Sequence, residues 1–198
     1  MTAPATPCPC VTRYRRRMPP TVLLAPGASG TVAGLRPYLQ GLAARGIQAH
    51  GVELPRGSVE RALPVYATAL EAAEQVAREA ATIIGGHSFG GRVASLLAAE
   101  RSVAGLILFS YPLHRPGHPE QWQSKTDHWP RIRCPVLLLS GESDPFARLT
   151  LLRRAVARVP DAELVTYPGV RHGIGPVLSD ALERIGAWID RLPHLPSA

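Results

Sequence analysis

Short apolar runs recur along the chain from residue 21, and segments with helical spacing separate them. Aliphatic residues dominate each run, as in TVLLA and PVLLLS, without alternation between apolar and polar positions. Strands that are apolar on both faces are typical of a parallel sheet covered by helices on both sides. The runs predict six strands, at residues 21–25, 47–53, 81–85, 105–110, 135–140 and 162–167.

The intervening segments carry apolar residues three or four positions apart, which is the spacing of one helix face. One stripe predicts a helix over about 65–80, and a further helical segment, RVASLLAAE, occupies residues 92–100. We expect these apolar faces to form the core. The four stripes are Leu35, Leu39 and Leu42; Leu70, Ala73, Ala77 and Ala80; Leu149, Leu152, Val156 and Val159; and Leu178, Leu182, Ile185 and Ile189.

Two stretches depart from the alternation. Residues 1–20 are rich in proline and arginine and carry no periodic apolar pattern, which predicts a flexible arm before one domain over residues 21–192. The segment from Tyr111 to Arg133 holds prolines, glycines, three histidines and two tryptophans without helical or strand periodicity. It predicts a long loop in place of a helical cap domain, and loops of this length are usually functional or disordered.

Charge and hydropathy narrow the classes of partner. The net charge is +7, but four arginines within the first 17 residues supply over half of it, and the other arginines are scattered. A nucleic-acid interface needs a basic stripe with interleaved aromatic residues, so none is expected. No apolar run approaches the roughly 18 residues of a membrane span, and the amino terminus lacks the apolar core of a secretory signal. We expect a cytoplasmic protein without a membrane partner, whose partner is a small-molecule substrate; its oligomeric state stays open.

Potential metal ligands are present but badly spaced. Cys8 and Cys10 have no further ligands at a zinc-like spacing, and Cys134 begins an apolar run and is typical of a small buried residue. The three histidines His114, His118 and His128 lie in Pro- and Gly-rich sequence without carboxylate or cysteine partners. We therefore expect neither a metal nor a cofactor.

A G-x-S-x-G pentapeptide spans Gly86 to Gly90. The motif alone is weak, but here it follows the strand ATIIG directly and opens a helical segment, which is the strand–turn–helix context of a nucleophile elbow. Ser88 would then lie at a helix N-terminus, where free N–H groups favour developing negative charge. The sequence thus predicts Ser88 as a nucleophile; the alternative is a glycine-rich turn with an incidental serine.

A serine hydroxyl needs a base, and the base needs an acid to orient it. His172 follows the last strand, and Asp144 follows the strand PVLLLS. The order Ser–Asp–His, with all three residues after the carboxyl ends of strands, is that of one hydrolase fold. Glu142 remains an alternative acid, with Asp144 then a turn residue. His87 is expected to pack within the elbow and to point away from Ser88.

Acyl transfer also needs donors for the oxyanion. The N–H of Phe89, directly after Ser88, is one candidate, and the loop after the first strand should supply the other. In that loop Ala28 has the usual position, with Ser29 as the near alternative. A phosphate-binding role for the loop is excluded because no lysine follows it at Walker A spacing.

These residues resemble the dienelactone-hydrolase-like branch of the α/β hydrolases. The likeness is closer to small hydrolase-like proteins that include a testis-expressed member and a subunit of a nuclear histone-acetyltransferase complex. It rests on LLAPGASG, GGHSFGGRVAS and the stretch from LILFSYPLHRPGHPEQ to SGESDPF. The resemblance implies a minimal α/β-hydrolase fold without a cap: six parallel strands in order 2-1-3-4-5-6, because the first strand matches the one usually counted third.

The function predicted is hydrolysis of small esters or thioesters through an acyl-enzyme on Ser88. Dienelactone hydrolases proper carry a cysteine nucleophile, so lactone specificity is not expected of this chain. Trp122 and Trp129 are the predicted apolar contacts for substrate, and Arg92 or Arg115 is the predicted contact for an anionic end. Members of the resembling family also serve as binding modules, so the alternative is a catalytically silent interaction module.

Overall fold

The computed structural model describes residues 20–76 and 81–192. Within them, six strands form one parallel sheet in the order β2-β1-β3-β4-β5-β6. The strands are β1 (Thr21–Ala25), β2 (Gln48–Gly51), β3 (Thr82–His87), β4 (Gly105–Phe109), β5 (Val136–Gly141) and β6 (Ala162–Tyr167). The predicted strand positions and the predicted order are therefore confirmed. The predicted arm over residues 1–20 lies, apart from Pro20, outside the described residues.

Helices cover both faces of the sheet, as predicted. Successive strand residues point to opposite faces, so Val22 and Leu24 join one core cluster while Leu23 and Ala25 join the other. The first cluster contains α1 and α6, and the second contains α2, α3 and α5. The longer helices are α1 (Arg36–Ala43), α2 (Val59–Val76), α3 (Phe89–Ala98), α5 (Leu149–Val156) and α6 (Leu178–Arg191), and α4 (Trp122–Thr126) lies between α3 and α5 in the chain.

Helix α2 begins earlier than its apolar stripe predicted. It starts at Val59 instead of about 65, because Ser58 caps it: the Ser58 Oγ accepts a hydrogen bond from the Arg61 N–H at 3.3 Å. Pro64 lies inside the helix, with its exposed side chain towards solvent. The capping serine was the signal that the apolar stripe alone did not contain. The stripe's Ala77 and Ala80 lie outside the described residues.

The segment from Tyr111 to Arg133 is more regular than predicted. It contains α4 and two single-turn 3-10 helices, at Pro119–Gln121 and Trp129–Arg131. Trp129 and Ile132 are each 1% exposed and belong to the core cluster beneath the segment. These turns are too short to carry a readable 3.6-residue period, which is why the sequence showed none. No helix in residues 20–76 or 81–192 is both long and apolar enough to cross a membrane.

Candidate active site

Ser88 occupies a sharp turn between β3 and α3. Its φ is 51° and its ψ −111°, a conformation that L-residues seldom adopt outside strained turns. The turn packs against the end of β1, and a Cβ on Gly86 or Gly90 would collide with the carbonyl oxygen of Ala25. The Gly90 N–H donates to the Pro26 carbonyl at 3.0 Å. The glycines of the pentapeptide are thus required by close approach to β1.

Two loops from neighbouring strands meet beside this turn. One follows β5 and carries Asp144, and the other follows β6 and carries His172. The Glu142 N–H donates to the Tyr167 carbonyl, and the Ser143 N–H donates to the Val170 carbonyl, both at 3.0 Å. Backbone pairing therefore continues past the strand ends and brings together two residues that are 28 positions apart in the chain.

Ser88, His172 and Asp144 form a continuous chain of hydrogen bonds. The His172 Nε2 is 2.9 Å from the Ser88 Oγ, and the His172 Nδ1 is 2.9 Å and 3.0 Å from the two carboxylate oxygens of Asp144. The Asp144 side chain is fully buried, and that of His172 is 22% exposed. A carboxylate accepts, so Nδ1 carries the proton of neutral His172, and Nε2 is left to accept from the Ser88 hydroxyl.

Glu142, the alternative acid, points elsewhere. Its Oε1 accepts a hydrogen bond from the Thr166 hydroxyl of β6 at 2.8 Å. Asp144 also makes the turn contact that was considered for it, since its Oδ1 accepts from the Phe146 N–H at 2.8 Å. The two roles are compatible because a carboxylate has enough lone pairs for both donors.

The imidazole of His172 lies between two other rings. The ring of Phe146 is 4.6 Å away and the ring of His87 is 5.1 Å away, centroid to centroid. His87 was expected to point away from Ser88, yet its ring lies against Gly27 and beside the ring of His172, which bonds the Ser88 hydroxyl. Burial, reinforced by the nearby His172, lowers the pKa of His87 to about 4. His87 is therefore a neutral neighbour of the base at physiological pH.

The two predicted oxyanion donors lie on either side of the turn. Phe89 begins α3, and the loop with Ala28 and Ser29 follows β1. The N–H groups of Phe89, Ala28 and Ser29 donate to no other group of the described chain. The loop after β1 is held to the turn by the hydrogen bond from the Gly90 N–H to the Pro26 carbonyl. The three N–H groups are therefore free to donate to an external acceptor, and their role as oxyanion donors stays a prediction.

The structure contains a second serine–histidine pair, which no sequence motif indicated. The Ser95 Oγ is 2.8 Å from the His128 Nε2, in a cluster where both residues are buried. The Ser95 hydroxyl donates to the Arg92 carbonyl at 2.9 Å, so the histidine Nε2–H must be the donor to Ser95. No carboxylate bonds His128 within the described residues. This pair holds the Tyr111–Arg133 segment to α3 and lacks a free nucleophile.

The predicted substrate contacts are dispersed. Trp129 is buried and stacks edge-on with Tyr111 at 4.9 Å, so its predicted substrate role is corrected to one in the core. Trp122 lies beneath the guanidinium groups of Arg154, in α5, and Arg158, two residues after α5, at 5.4 and 5.8 Å. It lines an open depression of about 570 Å³ to which none of Ser88, Asp144 and His172 contributes.

Arg92 lies one helical turn after Ser88, and its N–H donates to the Ser88 carbonyl at 3.0 Å. Its Nε is buried and has no hydrogen-bond partner in residues 20–76 and 81–192. The link between Arg92 and Ser88 is thus one of backbone, and the contact of Arg92 with an anionic substrate end stays a prediction.

The three histidines of the Tyr111–Arg133 segment serve separate contacts. The His114 Nδ1–H donates to the Arg115 carbonyl, and its Nε2 accepts from the Arg148 N–H. The His118 Nδ1 lies 3.2 Å from the Glu120 carboxylate, and His128 bonds Ser95. In the described part of the chain, no three His, Cys, Asp or Glu side chains cluster as metal ligands.

Sequence reasoning missed two residues that contact the site. Phe146 was recognisable only as an apolar residue after the Asp144 turn. Ser110 is fully buried after β4, and its Oγ accepts a hydrogen bond from the Gly173 N–H at 3.0 Å. Neither position carries a motif, so only the meeting of the strand ends reveals them.

Comparison with known proteins agrees with this architecture. A family model described as an alpha/beta hydrolase domain matches residues 45–184, well over half of the chain. A monoacylglycerol lipase from Paleococcus ferrophilus is 17% identical, with 87% of this chain and 96% of that chain covered and a TM-score of 0.72.

Two further solved structures share the fold at similar sequence identity. The Est1E protein of Butyrivibrio proteoclasticus, solved with ferulic acid, is 16% identical over 87% of this chain and 89% of its own, with a TM-score of 0.74. A dienelactone hydrolase from Anabaena variabilis is 18% identical over 88% and 87%, with a TM-score of 0.73. At these identities the likeness establishes the fold. With the family match over most of its length, this chain belongs to the alpha/beta hydrolases.

Proposed function

We propose that this protein is a serine hydrolase that cleaves small carboxylic esters, or thioesters, through an acyl-enzyme on Ser88. The observation that carries the proposal is the hydrogen-bond chain from the Asp144 carboxylate through His172 to the Ser88 hydroxyl, with both links at about 3 Å. A nucleophile, a base and an acid that orients the base are the recurring parts of acyl-transfer sites.

Acylation follows from this geometry. The His172 Nε2 takes the proton of the Ser88 hydroxyl while Oγ attacks the carbonyl carbon of the ester, forming a tetrahedral oxyanion. Asp144, held out of water, stabilises the imidazolium that results. Collapse of the intermediate breaks the bond to the leaving oxygen or sulfur, and His172 returns its proton to that atom. The alcohol or thiol departs, and Ser88 retains the acyl group.

The oxyanion is bound by backbone donors in this proposal. The N–H of Phe89 and the N–H of Ala28 supply two hydrogen bonds, which strengthen as negative charge develops on the carbonyl oxygen. The start of α3 adds the positive end of its helix dipole at the same place. Donors fixed in the folded backbone need no reorganisation during the reaction, which is why such sites accelerate it strongly.

Deacylation reverses the roles. His172 takes a proton from a water molecule as the water oxygen attacks the acyl carbon. The second oxyanion that forms is bound by the same N–H donors. Its collapse breaks the bond to the Ser88 Oγ, which recovers the proton from His172. The net reaction consumes one water and yields a carboxylic acid, and the enzyme is regenerated without a cofactor.

The ester class is supported by the structural neighbours, which include a lipase and a dienelactone hydrolase. Ser88 stands where dienelactone hydrolases proper carry cysteine, so a simple ester is the better substrate choice. Arg92, one helical turn after Ser88, is the proposed contact for substrates that carry a carboxylate.

A fluorophosphonate probe tests the proposal directly. In labelling, the Ser88 Oγ attacks phosphorus and fluoride leaves, so intact-mass measurement should show one adduct on the native protein and none on Ser88→Ala. Ser95→Ala is the matched control, since Ser95 also contacts a histidine but is buried with its hydroxyl donated to Arg92. That variant should label like the native protein.

Failure to label has a defined meaning. If the native protein is folded by circular dichroism yet stays unlabelled at high probe concentration, the chain is a silent interaction module. If Ser95→Ala abolishes labelling and Ser88→Ala does not, the nucleophile is assigned wrongly.

A further inference from the structure

Ser110 has an unusual backbone for a residue that no motif marks. It follows β4 with φ of 47°, and Ser88 is the only other non-glycine residue of positive φ among the residues that the structure describes. Ser110 is also fully buried. A non-glycine residue in this region of φ is strained, and such strain persists where the surrounding structure requires the conformation.

The Ser110 side chain reaches the loop that carries His172. Its Oγ accepts a hydrogen bond from the N–H of Gly173 at 3.0 Å, one residue after the candidate base. The serine itself is fixed by its own N–H, which donates to the Leu139 carbonyl of β5 at 2.8 Å. A rigid point of the sheet is thus bonded to the backbone next to the imidazole.

The same strand end also holds the nucleophile. The Ser88 N–H donates to the carbonyl of Phe109, the residue before Ser110, at 2.8 Å. Phe109, the last residue of β4, therefore holds Ser88 on one side, and Ser110, directly after it, holds the His172 loop on the other. The contact between the Ser88 Oγ and the His172 Nε2, at 2.9 Å, lies between these two attachments.

From these contacts we infer that Ser110 is a positioning residue for His172, which holds the loop so that Nε2 stays in line with the Ser88 hydroxyl. The inference rests on the proposed function, in which His172 is the base. The rings of Phe146 and His87 restrain the faces of the His172 imidazole, whereas Ser110 restrains the backbone next to His172. A misplacement of about 1 Å in such a site lowers turnover by up to about a hundredfold.

Two substitutions separate the hydroxyl from the strained backbone. Ser110→Ala removes the hydroxyl and keeps the strain, whereas Ser110→Gly removes both and suits the positive φ. Ser140→Ala is the matched control, because Ser140 is equally buried in neighbouring β5 and its hydroxyl has no partner within the described residues. Each full-length variant is assayed for kcat and KM with p-nitrophenyl acetate and for melting temperature.

We expect both Ser110 variants to lose about tenfold or more in kcat with KM within about twofold of native, and Ser140→Ala to keep native kcat. Ser110→Gly should melt higher than Ser110→Ala and yet be no more active. If kcat recovers in Ser110→Gly together with stability, the role is structural and the inference is wrong. It is equally wrong if both variants keep kcat within about twofold of native.

A readout without turnover distinguishes this inference from the proposed function. In protein labelled with ¹⁵N-histidine, the His172 Nδ1 proton is protected from exchange with water by its hydrogen bond to Asp144. It should therefore give a slowly exchanging signal that His172→Gln lacks. We expect Ser110→Ala to broaden or lose this signal and Ser140→Ala to keep it. If the native protein neither hydrolyses esters nor labels, the proposed function fails, and an unchanged signal in Ser110→Ala overturns the positioning role as well.

Discussion

At the scale of single residues, the site depends on which of several similar side chains receives the right partner. Ser88 and Ser95 both contact a histidine, yet only the Ser88 hydroxyl is left to donate to one. Asp144 and Glu142 are two positions apart, yet only Asp144 bonds His172. Residue type and spacing cannot tell which member of each pair belongs to the candidate site, whereas the hydrogen-bond partners can.

Replacing Asp144 by Asn tests the acid. The amide is nearly isosteric but can donate to Nδ1, which moves the imidazole proton to Nε2 and blocks acceptance from Ser88. We expect kcat for p-nitrophenyl acetate to fall by about a thousandfold or more. Glu142→Gln, its matched control, should stay within about twofold of native. A larger loss in Glu142→Gln than in Asp144→Asn would reassign the acid.

At the scale of elements, the segment between β4 and β5 is held by polar contacts as well as by its buried aromatic residues. His128 bonds Ser95 of α3, and the Tyr111 hydroxyl donates to the Lys125 carbonyl at 2.7 Å. Burial, reinforced by the charges of Arg92, Arg131 and Arg158, lowers the pKa of His128 to about 4. The anchor of the segment is therefore a histidine that must stay neutral.

That histidine makes stability depend on pH. The unfolded chain, with a histidine pKa near 6.5, binds the proton first as pH falls, so stability is complete above that value and is lost towards about pH 4. The slope is at most about 1.4 kcal/mol per pH unit for each such group, and His87 adds a second.

Urea unfolding at about pH 7, 6 and 5 measures this slope. We expect His128→Gln to be less stable than native at neutral pH and to lose less stability on acidification. His118→Gln, in an exposed side chain, is the control and should match native at every pH. A native free energy of unfolding that is constant over this range would contradict the neutral-anchor interpretation.

At the scale of the whole molecule, residues 20–76 and 81–192 form a sheet flanked by helices, with no cap inserted over the candidate site. A cap would begin in the connection between β4 and β5. The apolar residues of this connection instead pack into the core, since Leu113, Trp129 and Ile132 are buried there. His172 keeps 22% of its side chain exposed. The proposed cleft is therefore open and shallow.

An open cleft should favour short acyl groups. Each buried methylene contributes about 0.8 kcal/mol, and a chain that extends into water gains nothing from further methylenes. In a p-nitrophenyl ester series from acetate to palmitate, kcat/KM should be highest at about two to four carbons, with Ser88→Ala as the blank. A maximum at about eight carbons or longer would show an enclosed acyl site and overturn the open-cleft interpretation.

The strands and the candidate triad could be read from the sequence pattern alone, and the resemblance to the α/β hydrolases implied the sheet order. Doubly buried strands need continuous apolar runs, and a nucleophile turn packed against β1 needs its glycines, so both leave local signals. The start of α2 was missed because a capping serine, outside the apolar stripe, sets it. The short helices after β4 were missed because one turn has no readable period.

Contacts between the ends of distant strands could be seen only in the folded structure. It buried Trp129 in the core, turned His87 towards His172, and aimed the Ser110 hydroxyl at Gly173. Each outcome depends on where a loop from another strand passes, and loops set their course by packing and hydrogen bonds across the sheet. Local sequence records what a residue can do, whereas the partner that it meets is a property of the assembled fold.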